Sequence, residues 1–316
     1  MSKIVTITLN PSIDKSISVS SLIPDQKLRG KSTKFEPGGG GINVSRAIKK
    51  LGGESITWFL AGGCFGDFFI NLVKQKELFY QVFKIKNETR ESLIIFDESN
   101  ANQYLLNTDG PEIAEKEWQG LLNEVNELED VEFIVASGSL PLGVPVDFFG
   151  RLAKIVKLKG AKLILDTSGE ALKIAIEEGV YLIKPNLREL GLLHGLPAID
   201  IATAKEKAIQ MVQNTHCEVI VVSLGANGAL LVSKDFTEHI PSPPIEKIST
   251  VGAGDSMVAG IVFSLSRNKT LQESVQYGVA SGAAATMNAG RALCKKEDAD
   301  ALYLSIENEM KNNINQ

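Results

Sequence analysis

Two glycines and a carboxylate stand just ahead of an apolar run in the stretch Ser249-Thr250-Val251-Gly252-Ala253-Gly254-Asp255-Ser256. Met257, Val258, Ile261, Val262 and Leu265 follow at helical spacing, which predicts that residues 252–255 form the first turn of a helix. Free backbone N–H groups at such a terminus, at the positive end of the helix dipole, attract an anion, and glycine lets its oxygens approach the backbone. That terminus would then be an anion pocket. Asp255 beside it would take a proton from a hydroxyl attacking phosphorus, so the expected chemistry is phosphoryl transfer with Asp255 as base. An Asp in a first helical turn is also favoured by the dipole alone, so this motif in isolation leaves both readings open.

A second glycine-rich stretch, Glu36-Pro37-Gly38-Gly39-Gly40-Gly41-Ile42-Asn43, opens onto Val44, Ala47, Ile48 and Leu51, again at helical spacing. Four consecutive glycines cost backbone entropy, and the expected return is a hinge or a bare wall against a ligand. Asn43 offers donors and acceptors to a sugar. Other polar groups recur after predicted strands. Asp14 follows a strand over residues 3–9 that Asn10-Pro11-Ser12 ends. Ser137-Gly138-Ser139-Leu140-Pro141 follows residues 131–136, and Asp166-Thr167-Ser168-Gly169 closes 161–166. Lys184-Pro185-Asn186, with Glu189, follows 180–183, and Ser223-Leu224-Gly225-Ala226-Asn227-Gly228 follows 218–222. Ligands gather at the carboxyl ends of parallel strands, so this recurrence predicts one line of contacts along one sheet edge.

The elements that must hold these residues follow from periodicity. Helical patterns over 112–128 and 146–158 alternate with the strands at 131–136 and 161–166, which predicts an α/β fold: a mostly parallel sheet covered by helices on both faces. Residues 17–22 and 32–35 are half-polar β segments with no helix between them, so an antiparallel insertion is expected, carrying Lys27 and Arg29 in its turn. Segments 80–86, 92–96 and 101–106 add further strands, with Arg90 between the first two.

At 316 residues the chain could hold two domains or one large α/β domain with an insertion. Its net charge of −5 offers no general attraction to nucleic acid or anionic membrane, so any phosphate must be met locally. Lys27, Arg29 and Arg90 are the cations grouped for that purpose in the insertion. Cys64, Cys217 and Cys294 are scattered, and His194, His216 and His239 lack metal-ligand spacing, so core thiols and surface histidines are expected. With no leader pattern and no spanning segment, the expected setting is the reducing cytoplasm.

No Gly-x-x-x-x-Gly-Lys-[Ser/Thr] and no Gly-x-Gly-x-x-Gly after a strand occurs, which argues against P-loop enzymes and dinucleotide oxidoreductases. The two glycine motifs, together with Ser137 to Pro141, Lys184 to Glu189 and Ser223 to Gly228 between them, resemble the ribokinase-like (PfkB) family of sugar kinases over nearly the whole chain. Within it, Phe-Glu-Pro-Gly-Gly-Gly-Gly-Ile-Asn at 35–43 is most similar to the branch of minor-type 6-phosphofructokinases. Tagatose-6-phosphate kinases and 1-phosphofructokinases, the alternatives, usually carry Gly-Gly-Lys-Gly where Gly40 stands here.

The resemblance implies a nucleotide- and sugar-binding body of residues 1–11, 38–87 and 107–316, and a small β-sheet lid of residues 12–37 and 88–106 that forms a homodimer contact. It implies ATP-dependent phosphorylation of fructose 6-phosphate at its C1 hydroxyl, a step of glycolysis. Asp255 would be the base and Gly252, Ala253 and Gly254 the anion hole. Asp14, Gly39, Gly40 and Asn43 would hold the sugar, and Lys27, Arg29, Arg90 and Ser139 would meet its phosphate or its surroundings. ATP would lie along Lys184, Asn186, Ser223, Gly225 and Gly228, with Glu189 and Asp166 ordering the waters of Mg²⁺. Ser249, Val251, Ala285, Asn288 and Gly290 match a monovalent-cation (K⁺) site of some members, although Gly290-Arg291-Ala292 departs from the Gly-x-Arg order there. A non-catalytic sugar-phosphate sensor is the reading from another class. Intact Asp255 and both glycine motifs oppose it, since a sensor need keep only the sugar site.

Overall fold

Short runs of β-branched and aliphatic residues, each followed by an amphipathic stretch, make this chain fold as alternating strands and helices. The computed structural model describes residues 3–288 and 292–314. The chain runs through β1 (Ile4–Thr8), β2 (Ser12–Val19), β3 (Lys31–Gly38), α1 (Gly40–Lys50), β4 (Ile56–Ala61), α2 (Gly63–Gln75), β5 (Phe79–Lys84), β6 (Arg90–Asp97) and β7 (Asn102–Asn107). Next come α3 (Glu115–Glu127), β8 (Phe133–Ser137), α4 (Phe148–Leu158), β9 (Lys162–Asp166), α5 (Gly169–Glu178), β10 (Val180–Ile183), α6 (Leu187–Leu193), α7 (Ile201–Asn214) and β11 (Cys217–Ser223). The hairpin β12 (Ala229–Ser233) and β13 (Thr237–Ile240) and the helices α8 (Ala253–Leu265), α9 (Leu271–Thr286) and α10 (Lys296–Ile314) complete it.

Nine strands form the main sheet in the order β13-β12-β11-β10-β9-β8-β1-β4-β5, parallel from β11 to β5 with the hairpin on one edge. The inner strands β1 and β8 are buried at every position, as a sheet covered on both faces requires. Their side chains alternate between two cores. Val5, Ile7, Ile134 and Ala136 join a cluster with residues of α3, α4, α5 and α7. Ile4, Phe133 and Val135 join another with α1, α8, α9 and α10. The expected α/β architecture is therefore the one found.

A separate four-stranded sheet has the order β3-β2-β6-β7. β2 and β3 pair antiparallel, as expected of the insertion, and the sheet as a whole is mixed: β2 pairs with β6 in parallel, because two hairpins from distant parts of the chain meet side by side. Its strands reach Gly38 and Asn107, one residue beyond the ranges expected for the lid. Asp14 also differs from expectation. It lies inside β2, which starts at Ser12, instead of in a turn after β1.

Candidate active site

Helix α8 begins at Ala253, with Gly252 as its N-cap in the left-handed region (φ 80°) and no capping side chain; the Ala253 N–H donates at 3.3 Å to the Thr250 carbonyl of its own turn. A Cβ at Gly252 would approach Leu293 Cδ2 to 2.8 Å. The glycine is therefore required both by backbone conformation and by packing. Gly254 is ordinary helix, but a Cβ there would stand 3.3 Å from Lys184 Nζ. The ammonium of Lys184 thus sits over the open helix terminus.

Lys184 is buried and pairs with Asp166 Oδ1 at 3.2 Å. Desolvation pulls its pKa down, but Asp166, Glu189 and Asp255 outweigh this and leave it raised, so Lys184 is a fixed cation. Asp255 shows the opposite imbalance. It borders the cleft and is partly buried. That desolvation, reinforced by the charge of Asp166, pushes its pKa up to about 7 against the Asn43 hydrogen bond, Lys184 and Arg46. A carboxylate poised there is basic enough to take a proton from an alcohol at neutral pH.

The four-glycine stretch is also demanded by contact. Gly39 has φ 118°, and a Cβ there would lie 2.6 Å from Thr8 Cγ2. Side chains at Gly38 and Gly40 would collide with the carboxylate of Asp14 and the hydroxyl of Ser137, and one at Gly41 would sit 2.7 Å from the Ile7 carbonyl oxygen. Gly40 and Gly41 already belong to α1, so the bend lies at Gly39 alone. The loop is a tightly packed wall rather than a free hinge. It delivers Asn43, whose Nδ2 donates to Asp255 Oδ2 at 3.0 Å. Nearby, Ser12 Oγ donates to Asp14 Oδ1 at 2.7 Å on the small sheet.

A cleft of about 420 Å³ between the two sheets is lined by Gly39, Gly40, Asn43, Arg90, Ser139, Asp166, Glu189 and Asp255. Ser137, Thr167 and Ser168 come from the strand-end stretches of the sequence, while Ser12, Ser92 and Asn107 add hydroxyl and amide groups that it did not single out. Their shared signal is position, at strand ends or at the root of the small sheet. Arg90 Nε and Nη2 donate to the Asn10 carbonyl at 3.3 and 3.2 Å, and Nη1 to that of Thr108 at 3.3 Å. Burial lowers its pKa, and among the described residues no carboxylate pairs with it. Its charge is available to an anion entering the cleft. Ser139 Oγ accepts from Asn10 Nδ2 at 3.1 Å. Lys27 and Arg29 are exposed in the β2–β3 connection and do not line this cleft.

Asn186 and Glu189 cap α6 reciprocally. Asn186 Oδ1 accepts from the Glu189 N–H at 2.8 Å, and Glu189 Oε2 accepts from the Asn186 N–H at 3.0 Å. The Ser223 N–H donates to the Pro185 carbonyl at 2.9 Å, which brings the loops after β10 and β11 together. Gly225 has φ 62° with open space beside it, whereas a side chain at Gly228 would strike the Ile240 carbonyl, so Gly228 serves the hairpin. Behind α8, the N–H groups of Ile248 and Ser249 donate to the Thr286 carbonyl at 2.8 and 3.1 Å, and Val251 N–H to Ser249 Oγ at 3.3 Å. Asn288 N–H donates to the Ala285 carbonyl at 3.3 Å. Ser249 and the Ala285–Asn288 region therefore share one corner, while Gly290 lies outside the described residues.

Arg46 was not among the expected site residues. It is only 8% exposed, and its guanidinium donates to Asn43 Oδ1, the Pro37 carbonyl and Glu36 Oε1 at 3.1, 3.2 and 2.7 Å. An arginine three residues after Asn43, amid Val44, Ala47 and Ile48, is the signal that could have found it.

Comparison with known proteins places this geometry in context. Residues 3–298 match the family described as pfkB family carbohydrate kinase. The chain is 38% identical over 304 residues to the ATP-dependent 6-phosphofructokinase isozyme 2 of Escherichia coli (strain K12), covering 96% of this chain and 98% of that one. Among solved structures, phosphofructokinase-2 from Escherichia coli in complex with potassium superposes with a TM-score of 0.93 at 37% identity, covering 97% of this chain and all (100%) of that one. The same enzyme in complex with fructose-6-phosphate gives a TM-score of 0.91 at 36% identity and the same coverage, 97% and 100%.

Proposed function

The chain belongs to the pfkB family of carbohydrate kinases, and from that premise we propose that it transfers the γ-phosphoryl group of ATP to the C1 hydroxyl of fructose 6-phosphate. The observation that carries this reading is the pairing, in one cleft, of a carboxylate poised near neutrality with the uncapped terminus of α8 and, at the small sheet, an arginine without a carboxylate partner. Asp255 would accept the C1 proton while the N–H groups around Gly252, Ala253 and Gly254, with Lys184 over them, would meet the charge of the moving group. Asn43, Asp14, Gly39 and Gly40 would orient the sugar. Arg90, with Ser139 nearby, would meet its phosphate, while Lys27 and Arg29 lie outside this cleft. The nucleotide would run along Lys184, Asn186, Ser223 and Gly225, with Gly228 holding the turn.

The residues present fit Mg²⁺. Asp166 gives one oxygen to Lys184 and Glu189 one to the backbone of Asn186, which leaves each a second oxygen beside the cleft. When bound, the ion would neutralise phosphate charge, held mostly through water and nucleotide oxygens as Mg²⁺ prefers. A monovalent cation at Ser249, Val251, Ala285 and Asn288 would steady the loop that carries Gly252. The small sheet would be a lid over the body and the contact of a homodimer. No described helix is long and apolar enough to cross a membrane. Cys64, Cys217 and Cys294 are unpaired, which supports a reducing cytoplasmic setting.

A coupled assay of ADP release over free and phosphorylated ketohexoses tests the reading. Fructose 6-phosphate is expected to give the highest kcat/KM. A clear preference for tagatose 6-phosphate or fructose 1-phosphate would reassign the substrate. Sugar-phosphate binding without turnover would identify a sensor.

A further inference from the structure

Asn43 presents an amide to Asp255, and an amide can flip. The ionised carboxylate favours the NH₂, and a donor on Oδ1 fixes the other end of the amide. That donor is Arg46 Nη1, at 3.1 Å. The same nitrogen donates to the Pro37 carbonyl at 3.2 Å, at the end of β3 where the glycine stretch begins. Arg46 Nη2 reaches Glu36 Oε1, on β3 of the small sheet, at 2.7 Å, and Lys76 Nζ approaches the same oxygen at 3.3 Å. One guanidinium therefore joins three things: the partner of the expected base, the backbone leading into the glycine wall, and a strand of the lid.

Burial makes this arrangement informative. A half-exposed arginine at a surface pair would contribute little. Arg46, 8% exposed on α1, whose residues from Gly41 to Ile48 are all buried, costs desolvation that its hydrogen bonds must offset. Its planar fork satisfies diverging acceptors at once, which the compact ammonium of a lysine cannot reproduce.

We propose that Arg46 is a positioning residue for phosphoryl transfer: its guanidinium locks the Asn43 amide in the orientation that donates to Asp255 and couples that pair to lid strand β3 through Glu36. The proposal rests on the reading of Asp255 as the base. Arg46 touches neither sugar nor nucleotide in this scheme, so its loss acts on alignment rather than on affinity.

The test is steady-state kinetics of Arg46→Ala and Arg46→Lys beside Asp255→Asn, with fructose 6-phosphate and ATP varied separately and thermal melts run in parallel. Arg46→Ala is expected to lower kcat about a hundredfold, the scale of a misaligned reacting group, with both KM values within a few-fold of wild type. Added guanidinium ion is expected to restore part of kcat in that variant and to leave wild type unchanged. Arg46→Lys keeps a cation for Glu36 and so guards against a fold defect, yet it is expected to remain well below wild type in kcat. Wild-type kcat in Arg46→Lys, or a loss in Arg46→Ala that appears in KM and melting temperature without a kcat term, would overturn the proposal. If Asp255→Asn retains turnover, the base assignment fails. If Asp255→Asn is inactive while both Arg46 variants keep wild-type kcat, the positioning role alone fails.

Discussion

The carboxylate of Asp255 carries two opposite pH dependences. As a base it must be ionised, so kcat is expected to fall as pH drops through about 7, the value to which burial and Asp166 raise it. As a buried acid it works the other way: its folded pKa lies above its unfolded one, so the unfolded state loses its proton first as pH rises. The stability it contributes is present at low pH and lost as pH rises to about 7. Asp255→Asn keeps the shape without the charge. It is expected to lose turnover by about a hundredfold to ten-thousandfold while binding both substrates. Its melting temperature should exceed that of wild type at pH above about 7, with the gap closing toward pH 5; calorimetry across that range checks this. Turnover near wild type would remove Asp255 from the role of base. Arg90 invites a separate experiment. Its hydrogen bonds all go to carbonyls or a hydroxyl, so Arg90→Ala should raise KM for fructose 6-phosphate by tenfold or more, from a charged hydrogen bond worth roughly 1.5–3 kcal/mol, and leave KM for ATP nearly unchanged. Equal rises in both would place Arg90 in a structural role.

At the scale of elements, strands and the α8 terminus were legible because they rest on local pattern. The β10 segment falls at 180–183, where the pattern placed it, and Asp255 lies in the first turn of α8. Pairing between distant segments was not legible: nothing local in residues 12–19 or 90–97 says that β2 and β6 lie parallel. Nor could sequence separate the two glycines of the proposed anion hole, which face different constraints. Gly252 has φ 80° and abuts Leu293, so Gly252→Val is expected to cost about 1–3 kcal/mol of stability from strain, with further loss from the clash. Gly254 has ordinary helical geometry, and a side chain there meets only the flexible end of Lys184. Gly254→Val should therefore melt close to wild type, bind the sugar, and fail to turn over. Chemical denaturation and isothermal titration of the two variants check the contrast. A Gly254→Val protein that loses its fold would mean the residue serves packing instead.

At the scale of the whole molecule, the outer part of the small sheet is left uncovered among the described residues. α2 covers part of the small sheet near Ile13, where Phe69 and Ile42 share its core, and Phe68 meets Phe35 edge-on. Farther out, β7 is exposed at all six positions, with Leu105 47% and Leu106 53% exposed and Phe96 of β6 at 40%. Leu105 pairs with Ile94 and Leu106 with Leu93, so the two leucines point to opposite faces of the sheet. An apolar edge strand of this kind invites pairing or aggregation unless something covers it. A second lid is the cover proposed, and it would also fix the angle at which Arg90 and Glu36 meet the body. Replacing both leucines, Leu105→Asp with Leu106→Asp, charges both faces of β7 without changing a residue that lines the cleft. Sedimentation is expected to show this variant as a monomer where the parent chain is a dimer. Its KM for fructose 6-phosphate should rise more than its KM for ATP, because the proposed sugar site is at the root of the small sheet and the proposed nucleotide site lies against the body. A double variant of unchanged mass and unchanged kinetics would leave the lid a closed cover of its own subunit and place any dimer contact elsewhere.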